Sequence, residues 1–197
     1  MRLSEEKRQR ILDAALRTFV RHGFYNAKVS EIAREAGVAH GTVYLYFKSK
    51  EHLLRTIFEE QMGEALRYIK GKVSQIQGAK AKLKRLIEAQ MELVKEHKEL
   101  TELIIIEMRQ SSKFLKSEAV MLIADYIDFI EGILKEGIRL GEIRKDLNTT
   151  IVATTIYASF EGVVTRWLLE ESCFDLKKAA DEIYTAFMDG ISLTTGD

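Results

Sequence analysis

Residues 28–52, KVSEIAREAGVAHGTVYLYFKSKEH, decide the fold of the amino-terminal part of this chain. Two short stretches with helical spacing lie on either side of Gly37, and an aromatic and basic run over residues 44–50 follows them. Two helices joined by a short turn that contains glycine have the geometry that places the second helix in the DNA major groove. The stretch therefore predicts a helix-turn-helix.

Composition places this element in an all-α protein. The chain has 197 residues and no proline, as expected for helices with short connections, because proline costs about 3 kcal/mol inside a helix. Strand-like alternation of apolar and polar residues is hard to find. No apolar run reaches the roughly 18 residues of a membrane span, and the charged amino terminus lacks the apolar segment of a signal peptide. We expect a cytoplasmic protein that does not enter a membrane.

The periodicity of apolar residues predicts nine helices. The first begins after Ser4 and ends near Gly23, and we expect Phe24 and Tyr25 to pack beneath the next two helices. Ser49 caps a long connector helix that runs to about residue 70. The remaining predicted helices span residues 29–36, 40–47, 79–97, 100–110, 115–139, 150–170 and 176–193.

Two domains are predicted from this organisation. Residues 1–48 form a three-helix, helix-turn-helix domain, and residues 49–197 form the connector helix with a five-helix bundle. Residues 71–78, which begin and end with glycine, are the clearest internal break.

Charge divides the chain in a similar way. Residues 1–55 contain 11 Lys and Arg against 6 Asp and Glu, a net charge of +5, whereas the remainder contains 19 against 24, a net charge of −5. A basic head on an acidic body fits a small module that contacts a polyanion.

The motif around the turn resembles the DNA-binding head of TetR-type transcriptional regulators. The matching elements are the aromatic residue after Gly23, the turn over residues 32–38, and the runs GTVY over residues 41–44 and YFKSKE over residues 46–51. The resemblance implies a nine-helix architecture, a homodimer joined through the last two helices and a palindromic double-stranded DNA operator. It also implies a small-molecule effector bound among the helices of the body.

The residue types at the matching positions suit DNA. Hydroxyl and ammonium groups bind phosphate oxygens, Thr42 also suits a base edge, and Gly41 lets the backbone of the second helix approach closely. His40 leads the exposed face of that helix and is the residue we expect to choose between bases. The predicted DNA-binding residues are Lys28, Ser30, His40, Gly41, Thr42, Tyr44, Tyr46 and Lys48.

Two positions depart from the family pattern. Family members commonly have a hydroxyl residue just before each helix of the motif, where this chain has Lys28 and Ala39. Neither caps a helix well, and a missing cap costs about 1 kcal/mol.

Two body helices carry aromatic and apolar residues on one face each. Leu122, Tyr126, Phe129 and Ile133 share the first face, and Ala153, Tyr157, Phe160, Val164 and Trp167 share the second. Such stripes fit either an ordinary core or the walls of an effector site, and Trp167 also fits a dimer interface. The predicted ligand-binding residues are Arg109, Tyr126, Phe129, Tyr157, Phe160, Glu161, Val164 and Trp167.

A second resemblance narrows the effector. Residues 107–111, 132–143 and 165–167 resemble the branch of the family that represses fatty-acid degradation genes and responds to long-chain acyl-CoA. Arg109 matches an arginine that meets the CoA moiety in that branch, and a guanidinium binds phosphate through two hydrogen bonds. An ordinary ion pair is the alternative for Arg109.

Other functions stay open at this point. A repressor of a multidrug efflux pump would bind lipophilic cations, for which Glu107, Asp125, Asp128 and Glu161 are candidates. A DNA-binding protein without an effector would have a closely packed body. An enzyme is disfavoured, because the histidine spacings of di-iron and zinc sites and the glycine loop of phosphate sites are absent. We predict no catalytic residue, no metal site and no cofactor.

Overall fold

The computed structural model of the chain describes residues 4–110, 118–170 and 173–192, and the side chains of residues 106–120 lie outside that description. Within these ranges the chain forms nine helices, which confirms the predicted all-α class. They are α1 (Glu5–Asn26), α2 (Val29–Ala36), α3 (His40–Tyr46), α4 (Lys50–Ser74), α5 (Ala79–Glu96), α6 (Lys98–Gln110), α7 (Glu118–Arg139), α8 (Thr149–Leu169) and α9 (Leu176–Ile191). The predicted start of α7 at residue 115 falls outside the described residues.

The helix starts follow the chemistry of their cap residues. The side chains of Ser4, Asn148 and Asp175 each accept a hydrogen bond from a backbone N–H of the first turn that follows. Lys28 and Ala39 make no such bond at the starts of α2 and α3. The weak N-terminal capping expected for the motif is therefore present, and other contacts must hold the starts of its two short helices.

Two glycines show where the helical pattern stops and where it continues. Gly23 leaves the helical conformation at φ 69°, ψ 159°, so the regular part of α1 ends where predicted. Gly71, expected in a break, lies inside α4, and the break is confined to the four residues before Ala79. Buried Ile69 and Val73 hold the helix through Gly71, whose intrinsic cost is only about 1 kcal/mol.

The described residues form two compact units, each with its own core. The first unit comprises Met1–Gly63 and Glu99–Val120, and its core includes Ile11, Phe19, Ile32 and Phe47. Phe24 is buried in this core as expected, but the expectation for Tyr25 was wrong, because 68% of its surface is exposed. The backbone leaves the helical path at Gly23, and of the two aromatic side chains that follow only that of Phe24 faces the core.

The second unit comprises Glu64–Lys98 and Met121–Asp197. In it the start of α5 lies against the end of α7, where the Lys82 ammonium is 2.6 Å from the Glu136 carboxylate and Ala79 faces Gly137. A Cβ on Gly137 would lie 2.8 Å from the Ala79 Cβ, so glycine permits this close approach. The division between the units falls inside α4, and the domain boundary between residues 48 and 49 stays a prediction.

Candidate DNA interface and ligand-binding residues

The turn between α2 and α3 requires glycine for its backbone conformation, and the flexible Arg10 side chain fills the space beside it. Gly37 has φ +65°, a left-handed conformation that side chains resist, and a Cβ there would lie 2.9 Å from the Arg10 guanidinium. That guanidinium donates hydrogen bonds to the carbonyls of Ala36 and Gly37. Arg10 therefore ties the end of α2 to α1.

Helix α3 exposes the side that the sequence predicted to face DNA. Val43 and Phe47 are buried and anchor the helix, with 1% and 2% of their surfaces exposed. His40, Gly41, Tyr44 and Lys48 are all exposed, and the rings of His40 and Tyr44 meet edge to face at 5.3 Å. Four predicted DNA contacts thus lie on one short, outward-facing segment.

Packing among the described residues gives no reason for glycine at position 41. A Cβ at this position would meet nothing within 4 Å, and the residue has no positive φ. Glycine within a helix costs roughly 0.5–1 kcal/mol relative to alanine. The open space above Gly41 fits a surface that another molecule must approach closely.

We expect Gly41→Ala to separate stability from DNA binding. The added methyl should raise the free energy of unfolding by up to about 1 kcal/mol and weaken operator binding about tenfold by holding the DNA away. Gly71→Ala is the matched control, since Gly71 is also helical and open, and it should raise stability without changing DNA affinity. Thermal melts and fluorescence anisotropy measure the two effects; wild-type DNA affinity in Gly41→Ala would refute this role.

Tyr46 has a structural contact as well as its predicted role at DNA. Its ring is half-buried, and its hydroxyl accepts a hydrogen bond from the Ser4 backbone N–H at 3.0 Å. This bond ties the start of α1 to the end of α3, while the hydroxyl proton remains to donate to a phosphate. Contacts of Tyr46 and of half-buried Thr42 with DNA stay predictions.

Lys28 and Ser30 are exposed at the start of α2. Lys28 occupies the N-cap position without capping the helix. Phosphate contacts from these two residues also stay predictions.

The sequence analysis missed Lys50, the first residue of α4. Its ammonium donates hydrogen bonds to the carbonyls of Phe24, Tyr25 and Ala27 at 2.7, 3.0 and 3.1 Å, and lies 4.6 Å from the centre of the Phe24 ring. Lys50 thereby joins the connector helix to the chain that leads into α2. The sequence does not predict this role, because Lys48 and Lys50 look equivalent in the run over residues 48–50.

Glu35 on α2 and His52 on α4 both have shifted pKa values that follow from their contacts. Glu35 pairs with Arg17 and Arg21, and the hydrogen bond from Arg17 is the main reason that the pKa of this carboxyl lies below its usual range. The Lys48 backbone N–H donates to the His52 Nδ1 at 3.1 Å. Burial, followed by nearby positive charges, lowers the pKa of His52 and favours the neutral ring that can accept this bond. The backbone that carries Lys48 is therefore fixed while its ammonium remains exposed.

Among the predicted ligand-binding residues, Tyr126 on α7 and Tyr157 on α8 lie together, with ring centres 6.1 Å apart in an edge-to-face arrangement. Tyr126 is buried, which raises the pKa of its phenol well above the usual range. Burial, and then the charge of Glu161, raises the pKa of Tyr157 to about 12. Both phenols therefore keep their protons near neutral pH and can act as hydrogen-bond donors.

The other predicted ligand-binding residues differ in what they already contact. Half-buried Phe129 lies under the Lys70 ammonium, 5.4 Å from the ring centre, whereas Val164 is fully buried. Trp167 donates its indole N–H to the Phe174 carbonyl at 3.1 Å and lies beneath Lys98. No polar atom of Trp167 is thus left for a ligand. Phe160 and Glu161 are half-buried on α8.

Two of the four acidic candidates for a cation site face solvent. Asp125 and Asp128 are exposed on α7, and the side chains of Glu107 and Arg109 lie outside the description. The role of Arg109 stays a prediction. Within the described ranges, no group of three or more His, Cys, Asp and Glu residues is arranged to hold a metal ion.

The sequence analysis also missed a buried polar residue of the second unit. Gln90 on α5 is 4% exposed, and no described residue pairs with its side-chain oxygen. Gln90 was missed because its apolar sequence neighbours, Ala89 and Met91, indicate only an ordinary buried helix face.

Comparison with known proteins covers nearly the whole chain. Residues 11–57 match the model described as bacterial regulatory proteins, tetR family, and residues 58–190 match that of the YsiA-like protein, C-terminal region. The fatty acid metabolism regulator protein of Bacillus subtilis is 31% identical over 97% of this chain and 98% of its own length.

Two solved structures have the same fold. FadR from Bacillus subtilis in complex with stearoyl-CoA has a TM-score of 0.85 and 32% identity, over 93% of this chain and 98% of that one. The fatty acid degradation regulator FadR from Bacillus halodurans has a TM-score of 0.86 and 29% identity, over 96% and 98% of the two chains. None of the described helices is both long and apolar enough to span a lipid bilayer.

Proposed function

Because the chain belongs to the TetR family of bacterial transcriptional regulators, we propose that it is a repressor of fatty-acid metabolism genes which long-chain acyl-CoA releases from a palindromic operator. It is a DNA-binding regulator, and its family and relatives are regulators rather than enzymes. A cytoplasmic location follows from its DNA target.

One comparison supports long-chain acyl-CoA as the effector. The stearoyl-CoA complex of FadR matches this chain almost from end to end. The buried and half-buried aromatic residues of α7 and α8 offer the apolar surroundings that an acyl chain needs. A lipophilic-cation site is less well supported, since Asp125 and Asp128 face solvent.

The DNA-binding set remains our proposal for the operator contacts. His40, Gly41 and Tyr44 lead an exposed helix face, and Lys48 follows it. In a dimer, two such helices would enter successive major grooves about 34 to 36 Å apart. Their hydroxyl and ammonium groups would bind phosphates, and His40 would read bases.

The effector can act only to the extent that it binds the two conformations of the dimer with different affinity. Helix α4 contributes residues to both compact units, beginning at Lys50 beside the motif and ending at Ser74. We propose that acyl-CoA acts through α4 and changes the spacing of the two recognition helices. The test is titration of acyl-CoA into the protein–operator complex, with a lipophilic cation as the comparison.

The dimer face is proposed on the exposed side of α8. TetR regulators dimerise, and this helix exposes small or apolar residues at helical spacing, namely Ile151, Thr155, Ala158, Gly162 and Leu169. A Cβ at Gly162 would meet nothing within 4 Å of its own chain. Such a surface allows two helices to approach closely once a second copy covers it.

Gly162→Arg should convert the dimer into monomers, because a long charged side chain would be buried in this face. Operator affinity should fall by at least about 100-fold, since each monomer reaches one half-site. Light scattering measures the mass of the assembly, and fluorescence anisotropy measures its affinity for operator DNA. Gly132→Arg, at an exposed and equally open glycine of α7, is the control. A Gly162→Arg protein that remains dimeric would place the interface elsewhere.

A further inference from the structure

Two buried polar atoms of the second unit have no hydrogen-bond partner among the described residues. They are the hydroxyl oxygen of Tyr126 and the side-chain carbonyl oxygen of Gln90, in residues that are 6% and 4% exposed. Folded proteins pair nearly all such groups, because an unpaired buried polar group loses its bonds to water without replacement. Two of them in one unit point to a molecule that pairs them when it binds.

The helix packing brings both residues to a similar level. Helix α4 contacts both of their helices at one level, because Tyr68 donates a hydrogen bond to Glu92, two residues from Gln90, and the Lys70 ammonium lies over the ring of Phe129, three residues from Tyr126. Tyr157 of α8 joins them through its contact with the Tyr126 ring. Three helices therefore contribute to one region of the unit.

The chemistry of the two atoms is neutral and complementary. A protonated phenol donates one hydrogen bond, and an amide carbonyl accepts one. A hydrocarbon chain would leave both groups unpaired, and a free carboxylate offers acceptors only, so Gln90 would stay unpaired. An acyl thioester of coenzyme A offers both, because its carbonyl accepts and the amide N–H two carbons beyond the sulfur donates.

We propose that Tyr126 and Gln90 bind the junction between the acyl chain and coenzyme A, with the Tyr126 hydroxyl donating to the thioester carbonyl and the Gln90 carbonyl accepting from the neighbouring amide N–H. This inference rests on the proposed function and adds a reason why the protein would select acyl-CoA over the free fatty acid. The regulator distinguishes an activated acyl group from the free fatty acid by a neutral linkage recognised inside the protein.

The test removes the carbonyl from the ligand and the hydroxyl from the protein separately. Stearoyl-CoA is compared with its thioether analogue, which has the same chain and coenzyme A but no thioester carbonyl. Each is titrated into the complex of the dimer with operator DNA, for wild type, Tyr126→Phe and Gln90→Met. Tyr184→Phe is the matched control, because Tyr184 is a half-buried tyrosine of α9 in the same unit.

For wild type and Tyr184→Phe we expect half-release at about tenfold lower concentration of the thioester than of the thioether. Tyr126→Phe should respond equally to both ligands. Gln90→Met should raise the half-release concentrations of the two ligands by a similar factor, since both ligands keep the amide N–H that Gln90 binds. Without ligand, Tyr126→Phe should melt no lower than wild type, because it loses a hydroxyl that has no partner.

A tenfold thioester preference that survives in Tyr126→Phe would overturn the inference. So would a melting temperature several degrees below wild type, which would mean that the hydroxyl is already paired without ligand. If neither ligand releases wild-type protein from DNA, the proposed function fails and this inference fails with it. Equal responses of wild type to the two ligands would overturn the inference alone.

Discussion

Replacing Tyr44 and Lys48 together by alanine should lower operator affinity by at least about 100-fold and leave the dimer intact. Each dimer loses two tyrosines and two lysines from its exposed recognition segments, and single DNA contacts are worth about 1–3 kcal/mol. Neither residue belongs to the buried core, since Tyr44 is 47% exposed and Lys48 faces solvent. Folding and dimer mass should therefore match wild type.

Salt dependence makes this prediction more specific. A lysine on a phosphate releases a condensed counterion, so losing one lysine per protomer should reduce the slope of log affinity against log salt by about 2 per dimer. Lys95→Ala, which removes an exposed lysine of α5, controls for the change in net charge. An unchanged operator affinity and salt slope in the double variant would refute the assignment of α3 as the recognition helix.

The second large effect is expected from the effector. Saturating stearoyl-CoA should weaken operator binding by about 100-fold, within the usual range of a coupling free energy of 1–3 kcal/mol. By the same thermodynamic linkage, operator DNA should weaken acyl-CoA binding by the same factor. Arg109→Ala should keep the operator affinity of the free protein and need about tenfold more acyl-CoA for release, since it would lose a paired guanidinium–phosphate contact.

Local signals made the architecture of the motif predictable. The spacing of Ile32, Ala33 and Ala36 placed α2 correctly, and Gly37 adopts the left-handed conformation that its position suggested. The described residues leave open space beside Gly41, and its expected use at DNA stays a prediction. Each of these inferences depends on a few neighbouring residues, for which one-dimensional spacing is sufficient.

Contacts distant in sequence were not predictable. Lys50 and Lys48 look alike in the sequence, yet Lys50 binds three carbonyls that lie more than 20 positions earlier while Lys48 remains exposed. Gln90 looks like a polar residue on an amphipathic helix, and only the packing shows that it is buried and that its side-chain oxygen has no partner among the described residues. Tyr25 was placed in the core because it follows Phe24, although its side chain faces solvent. Such outcomes depend on how helices meet, which periodicity does not record.

The most direct test of the regulatory claim is a titration of stearoyl-CoA into the complex of the purified dimer with operator DNA, selected beforehand from genomic fragments that bind the protein. Fluorescence anisotropy of labelled DNA reports release, and coenzyme A, stearate and a lipophilic cation are titrated in parallel. We predict release by stearoyl-CoA at concentrations where the three comparison compounds leave the complex intact. An operator complex that persists in saturating stearoyl-CoA, or that the cation alone dissociates, would contradict the assignment of acyl-CoA as the effector.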